Sequence, residues 1–219
     1  MRTHLISAAA LAAVAVSPSL QANEGPYVAA RGSYIMTDDA DWIFGSNFGP
    51  VPAGGNVISK FEDGYGVGVA LGMKLPSRFR VEGELFWQEN DIDSGRLGPV
   101  QLSALGGLNG DVGVWGGMLN AYYDFLEGPL VPFIGLGVGY TQVDAKVNLG
   151  NISVIDDDDT VLAYQGILGV SYDFMPNLQG VLAYRYLSLD DPQFKDRAGG
   201  KVDMEYDSQS IDLGLRYSF

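Results

Sequence analysis

The sequence contains no cysteine and only one histidine, His4. The absence of cysteine excludes thiol nucleophiles and cysteine-ligated metal sites. His4 lies in an N-terminal segment that is interpreted below as an export signal, so the remaining chain cannot build a Ser-His or Asp-His catalytic site. A carboxylate or Ser/Lys mechanism would need a motif that we do not find. The composition therefore predicts a protein that is not an enzyme and requires no cofactor and no metal.

Basic residues and long apolar runs are also scarce. Lys and Arg total 13 against 27 Asp and Glu, which gives a formal net charge of −14. Nucleic-acid binding needs a basic face, so this charge argues against a nucleic-acid partner. After the N-terminal segment, no stretch has the ~20 apolar residues that a membrane-spanning helix requires. A length of 219 residues suits one domain.

The first 22 residues have the pattern of a secretory signal peptide. Arg2 supplies the positive start, residues 5–16 form a short apolar core, and Pro18 ends that core. Ala22 provides a small residue at the expected cleavage edge. We therefore predict a signal peptide over residues 1–22 and one domain over residues 23–219.

The C-terminal stretch alternates strictly between apolar and polar residues, which indicates a strand with one apolar face. The apolar positions are Ile211, Leu213, Leu215, Tyr217 and Phe219. A terminal aromatic residue that closes an alternating strand resembles the C-terminal insertion signal of bacterial outer-membrane β-barrels. This resemblance implies that the barrel-assembly machinery is a partner of the strand.

Eight segments alternate in this way. They are residues 27–36, 64–74, 78–88, 112–125, 132–142, 161–174, 178–189 and 206–219. Three connections between them are short and four are long, the long ones being residues 37–63, 89–111, 143–160 and 190–205. This alternation predicts an all-β fold, an eight-stranded antiparallel up-and-down transmembrane β-barrel. Such barrels have periplasmic short turns and extracellular long loops, so both termini are expected in the periplasm.

Aromatic residues recur near both ends of the predicted lipid-facing stripes. Those near the long loops are Trp87, Trp115, Tyr140, Tyr164 and Tyr186, and those near the short turns are Phe79, Phe125 and Tyr172. Two aromatic girdles are typical of a barrel that crosses both membrane interfaces.

The opposite faces of the strands carry polar and charged residues that we assign to the lumen. These are Arg31, Arg80, Glu82, Glu84, Asn120, Tyr122, Asp124, Gln165, Arg185 and Arg216. Eight strands enclose a lumen that side chains can fill. We interpret the set as a paired ionic plug, because buried charges must be paired. A narrow path for ions or small solutes is the alternative.

Four consecutive aspartates at 156–159 fall in a predicted loop. Carboxylates suit Ca²⁺ or Mg²⁺, and such ions could bridge the aspartates to lipopolysaccharide phosphates. Runs of one charge are, however, usually solvated surface. Solvation is therefore the expectation, and cation binding is the alternative.

Several stretches resemble the small outer-membrane β-barrel family that includes the OmpA-type transmembrane domain, the Opa-like proteins and Gram-negative surface antigens. The matching stretches are residues 117–125, 132–140, 163–172, 183–186 and 213–219. The resemblance implies the fold and a Gram-negative outer-membrane location. OmpA continues into a peptidoglycan-binding domain that this sequence does not show, so its tethering role is not transferred.

The leading functional hypothesis is a non-enzymatic, monomeric barrel whose four acidic, mobile extracellular loops contact the surroundings. Its expected partners are outer-membrane lipid, lipopolysaccharide and a host or environmental ligand. The main alternative is a small porin-like channel. A lipid-modifying enzyme and a soluble lipocalin-type binder are further alternatives, which the missing histidine and the aromatic girdles respectively oppose.

Overall fold

The computed structural model describes residues 25–37, 40–44, 56–61, 63–97, 100–101, 108–149, 152–190, 193–195, 201–204 and 206–219. The predicted signal peptide lies outside these residues. Within them, the long strands are β1 (Gly25–Thr37), β4 (Gly64–Lys74), β5 (Phe79–Leu97), β7 (Leu108–Asp124), β8 (Leu130–Leu149), β9 (Ile152–Met175), β10 (Leu178–Leu189) and β13 (Asp207–Ser218). The short strands are β2 (Ala40–Phe44), β3 (Asn56–Phe61), β6 (Val100–Gln101), β11 (Gln193–Lys195) and β12 (Lys201–Met204).

The eight long strands close into a barrel. Each pairs antiparallel with its neighbours in chain order, and β1 closes the ring by pairing with both β4 and β13. In the closing register Tyr27 lies opposite Ser218 and Thr37 lies opposite Ser208. Closure leaves no unpaired edge in the membrane-spanning part, where lipid offers no hydrogen bonds to the backbone. The predicted eight-stranded antiparallel barrel is confirmed.

Side chains alternate across the barrel wall with the period of two that the sequence shows. The outward positions of the middle strands are large and apolar, and they are well exposed, for example Leu71 at 69 %, Leu119 at 72 % and Leu136 at 70 %. Most inward positions are buried, and many of them are polar or charged. This inside-out distribution matches a wall that faces lipid.

The strands continue beyond the predicted membrane segments. β5 and β7 stay paired out to Ile92 and Gly110, and β8 and β9 stay paired out to Leu149 and Ile152. The prediction of loops over residues 89–111 and 143–160 is therefore wrong for most of these ranges. The pairing of these strands continues past the predicted membrane segments because backbone hydrogen bonds between strands do not require lipid. The buried side chains of Val112 and Val143 also continue the apolar alternation.

The aspartates at 156–159 accordingly belong to β9 and not to a loop. They pair with residues 143–146 of β8, and Asp158 lies directly opposite Asp144. The short strands extend the same end: β3 pairs with β5, β2 with β3, and β12 with β2.

The opposite end of the barrel has tight connections. A single 3₁₀ turn, Pro76–Arg78, links β4 to β5, and Pro176 and Asn177 link β9 to β10. Ser77 takes a left-handed conformation with φ of 65° and ψ of 29°. No helix in the described ranges is long and apolar enough to cross a membrane.

Candidate functional site

The ten residues assigned to the lumen all lie on the inner face of the wall. Eight of them are buried, namely Arg80, Glu82, Glu84, Asn120, Tyr122, Gln165, Arg185 and Arg216. The side chains of Arg31 and Asp124 are 13 % and 20 % exposed. The period of two accounts for this placement, because every one of these residues occupies an inward position of its strand.

A ring of four charged side chains crosses the middle of the lumen. Arg31 Nε lies 2.6 Å from Glu84 Oε1, and Arg185 Nη1 lies 3.1 Å from Glu84 Oε2. Asp212 closes the ring, with Oδ2 2.9 Å from Arg185 Nε and Oδ1 3.6 Å from Arg31 Nη1. Two guanidinium groups therefore balance two carboxylates, and the ring ties together β1, β5, β10 and β13.

A glycine in the barrel wall leaves room for this ring. Arg31 on β1 reaches Glu84 on β5 by crossing the intervening strand β4 at Gly68. A Cβ atom at Gly68 would lie 2.8 Å from Arg31 Nε and 3.1 Å from Glu84 Oε1, so any side chain there would displace the contact. Amides complete the coordination, because Asn120 Nδ2 donates to Glu84 Oε2 at 2.8 Å and Gln165 Oε1 accepts from Arg185.

A second cluster lies between this ring and the short turns. The hydroxyls of Tyr27 and Tyr122 donate to Glu82 at 2.8 and 3.1 Å. Arg80, which is 1 % exposed, donates to both carboxylate oxygens of Asp124 at 3.0–3.1 Å. Its guanidinium carbon also lies 4.4 Å from the centre of the Tyr122 ring. Arg80 therefore pairs with an aspartate of the adjacent strand.

Toward the long-loop end the lumen is filled mainly by apolar side chains. Ile35, Phe86, Val114, Met118 and Leu187 are all buried there. A polar group sits among them, in which Gln88 Nε2 donates to the Tyr206 hydroxyl at 3.0 Å. A cavity of about 60 Å³ remains beside the charged ring, which is room for only a few water molecules.

Arg216 differs from the other lumen arginines. Among the described residues it forms no ion pair within 4.0 Å, and its only hydrogen bond runs from Nη1 to Gln179 Oε1 at 3.0 Å. Its guanidinium carbon lies 5.1 Å from the centre of the Tyr27 ring. Arg216 thus lies in the lumen, where its contacts are an amide oxygen and an aromatic ring.

Sequence reasoning missed two central members of the interior. Asp212 completes the charged ring and Tyr27 anchors Glu82. Strand parity could have found both, because Tyr27 shares the face of Arg31 and Asp212 shares the face of Arg216. Strand parity does not predict which inward side chains contact one another across the lumen, because these contacts join strands that are not neighbours in the sequence.

The predicted girdle residues, the apolar residues of β13 and Phe219, which follows β13, all lie on the outer surface. Each girdle residue is at least 36 % exposed, and the five outward residues of the terminal strand are 40–66 % exposed. Aromatic rings near the short turns pack edge to face, as do Tyr217 and Phe219 with centroids 5.5 Å apart. Their predicted roles in membrane anchoring and insertion remain predictions.

Carboxylates collect on the outer face of the strand extensions, beyond Trp87 and Tyr140. Burial and neighbouring Asp111 and Asp91 raise the pKa of Glu89 above its usual value. Burial and the facing Asp158 likewise raise the pKa of Asp144. In the parts of the chain described here, no group of three or more such side chains is arranged to hold a metal ion. Cation binding by residues 156–159 remains a prediction.

Sequence comparisons place this geometry among known proteins. A sequence model of the outer membrane protein beta-barrel domain matches residues 6–219. An outer membrane protein of Gluconacetobacter diazotrophicus is 29 % identical over an alignment that includes the whole chain, which spans 64 % of that relative's length. Major surface antigen 4 of Anaplasma marginale is 35 % identical over 47 % of this chain and 38 % of its own.

A solved structure shows the same architecture. The outer membrane protein OprG from Pseudomonas aeruginosa superposes with a TM-score of 0.59, covering 90 % of this chain and 98 % of its own. The two sequences are 16 % identical, so this likeness concerns the fold alone.

Proposed function

Because the chain belongs to the outer membrane protein beta-barrel domain family, we propose that it is a plugged, non-enzymatic barrel that holds acidic strand extensions at the surface of a Gram-negative cell. The observation that carries this proposal is the filled lumen. The ring of Arg31, Glu84, Arg185 and Asp212 spans its middle, and buried apolar side chains occupy the long-loop side of that ring. Eight strands enclose an interior that side chains can fill, and a filled interior favours an anchor over a pore.

The charge distribution supports a role for the extensions. Four lumen arginines match four lumen carboxylates, so the interior contributes no net charge. Outside the lumen, Glu89, Asp91, Asp111, Asp144 and Asp158 give the described part of the extensions an acidic outer face. The name of the Anaplasma marginale relative, Major surface antigen 4, is consistent with surface display. Partners of the extensions would be lipopolysaccharide or a host or environmental ligand.

Orientation is testable by labelling, because the chain has no cysteine of its own. We would compare Asp158→Cys on an extension with Asn177→Cys in a short turn, using a membrane-impermeant maleimide on intact cells. The proposal expects Asp158→Cys to react on intact cells and Asn177→Cys to react only after the outer membrane is permeabilised. The reverse pattern would contradict surface display.

A conductance measurement distinguishes a plugged anchor from a porin-like channel. The protein, purified in detergent and inserted into a planar bilayer, is expected to give no channel steps. Reproducible steps that change in Arg80→Ala or Glu82→Ala would overturn the plug and favour an ion path through the lumen. A matched Arg78→Ala variant controls for charge at the rim, because Arg78 lies outside the lumen and pairs with exposed Glu127.

A further inference from the structure

A cavity of about 520 Å³ opens at the short-turn end of the barrel. Pockets that bind small ligands have volumes of this order. Its basic wall residues are Lys74, Arg78, Arg80 and Arg216, and its acidic wall residues are Asp124, Glu127 and Asp173. The interior role assigned above does not use this space.

Two of the four cations in this cavity are already paired. Arg80 lies 3.0 Å from Asp124, and Arg78 lies 3.2 Å from Glu127. Within the described residues, Lys74 and Arg216 have no carboxylate within 4.0 Å. Both side chains line the same cavity. The cavity therefore presents two cations that lack a contacting anion.

Arg216 also has an unused hydrogen-bond donor. Its side chain is 4 % exposed, and Nε makes no hydrogen bond to any described residue. Gln179 holds the guanidinium in place, because its Oε1 accepts from Arg216 Nη1 while its Nε2 donates to Asp173 at 2.6 Å. Buried polar groups are normally satisfied, so a fixed, charged donor without an acceptor indicates a missing partner.

A further unused donor lies two residues along the same strand face. The Ser218 hydroxyl is buried without a hydrogen-bond partner among the described residues. It lines a small pocket together with Lys74 and Gly25. Gly25 lies opposite Lys74 in the β1–β4 register, and a Cβ atom there would meet nothing within 4 Å. Lys74 and Ser218 thus border the same small pocket.

We propose that this mouth of the barrel binds a small oxyanion, a phosphate or carboxylate group, through Arg216 and Lys74 with Ser218 as an additional donor. Both principal groups are cationic donors, and a guanidinium matches the geometry of an oxyanion. A metal cation is disfavoured by the same two positive charges. The group could belong to a free ion or to the headgroup of an anionic lipid.

The test is binding of inorganic phosphate to the full chain purified from membranes in a neutral detergent, followed by calorimetry and by ³¹P NMR. We expect saturable binding that weakens about tenfold in Lys74→Gln and in Arg216→Gln, because each loses a charge-assisted contact. Arg78→Gln is the matched control. It removes the same charge from the same mouth but from an existing ion pair, so we expect less than a twofold change.

The lipid source is tested in nanodiscs of phosphatidylglycerol against nanodiscs of phosphatidylcholine, with the same variants. Binding of free phosphate, or a Lys74-dependent shift of the lipid phosphorus signal only in phosphatidylglycerol, would each support the site and identify the source. No saturable binding in either arm, or an equal loss in Arg78→Gln, would overturn it. If Arg216→Gln fails to fold, Lys74→Gln decides. Either outcome is independent of surface display and conductance.

Discussion

Replacing Glu84 by glutamine tests whether the charged ring holds the barrel together. The substitution keeps the size of the side chain and removes its charge. In the wild type the Glu84 carboxylate accepts from Arg31 Nε at 2.6 Å, from Arg185 Nη1 at 3.1 Å and from Asn120 Nδ2 at 2.8 Å. After the change, the partly buried Arg31 and the buried Arg185 share one carboxylate, that of Asp212.

The expected loss in the free energy of unfolding follows from these contacts. Two charge-assisted hydrogen bonds are weakened, each contributing about 1.5–3 kcal/mol. Removing one partner of a buried ion pair costs about 3–5 kcal/mol, because the other charge stays buried. The glutamine oxygen still accepts one hydrogen bond. We therefore expect a loss near the lower end, about 3 kcal/mol.

The assay is urea unfolding in lipid vesicles, followed by tryptophan fluorescence and by the gel mobility of the folded barrel. Glu127→Gln is the matched control, because it removes the same charge from an ion pair whose side chains are 43 % and 70 % exposed. Exposed pairs contribute about 1 kcal/mol or less. The double variant Glu84→Gln with Arg31→Gln restores neutrality, so its loss should be smaller than the sum of the two single losses.

A Glu84→Gln variant that unfolds within 1 kcal/mol of the wild type would contradict a stabilising role for the charged ring. So would a loss equal to that of Glu127→Gln, because burial would then make no difference. Strict additivity in the double variant would show that Arg31 and Glu84 do not interact energetically.

Three further predictions concern the wall, a turn and the extensions. Gly72→Ala should destabilise the barrel by about 1–3 kcal/mol in urea unfolding, because its Cβ would overlap the Tyr27 ring. Ser77→Gly should stabilise it by about 0.5 kcal/mol in the same assay, because glycine adopts a φ of 65° without strain. Asp144→Asn should stabilise the barrel by about 0.5 kcal/mol at pH 7 in low salt, because it removes the repulsion from Asp158. The folded-state pKa of Asp144 is raised, so the wild type loses stability as pH rises through that pKa, and the gain should vanish below pH 3.8, the ordinary pKa of an aspartate.

Each of these has a defined control. Gly83→Ala faces lipid and would meet only Leu119, 4.0 Å away, so a loss as large as that of Gly72→Ala would contradict the packing argument. Destabilisation by Ser77→Gly would show that the turn is not strained. For Asp144→Asn, the gain should shrink in high salt, since screening weakens exposed charge pairs. A gain unchanged by salt and pH would rule out electrostatic repulsion as its cause.

Much of the interior could be assigned from sequence because a strand has a strict period of two. That period placed Glu84 and Gln165 inside and Leu119 outside, and it would have placed Asp212 inside as well. Pairing within the lumen could not be assigned in the same way. Arg80 contacts Asp124 on the adjacent strand, whereas Arg31 crosses β4 to reach Glu84.

Alternation and turn chemistry are local properties of the chain, so the number of barrel strands, their order and the face that each residue presents can be assigned without a structure. The folded barrel sets which charges meet, because the stagger of its strands determines which inward residues share a level. It likewise decided that the aspartates at 156–159 continue β9. A ladder of backbone hydrogen bonds can extend past the membrane wherever a neighbouring strand is available, and polarity alone does not show where that neighbour ends.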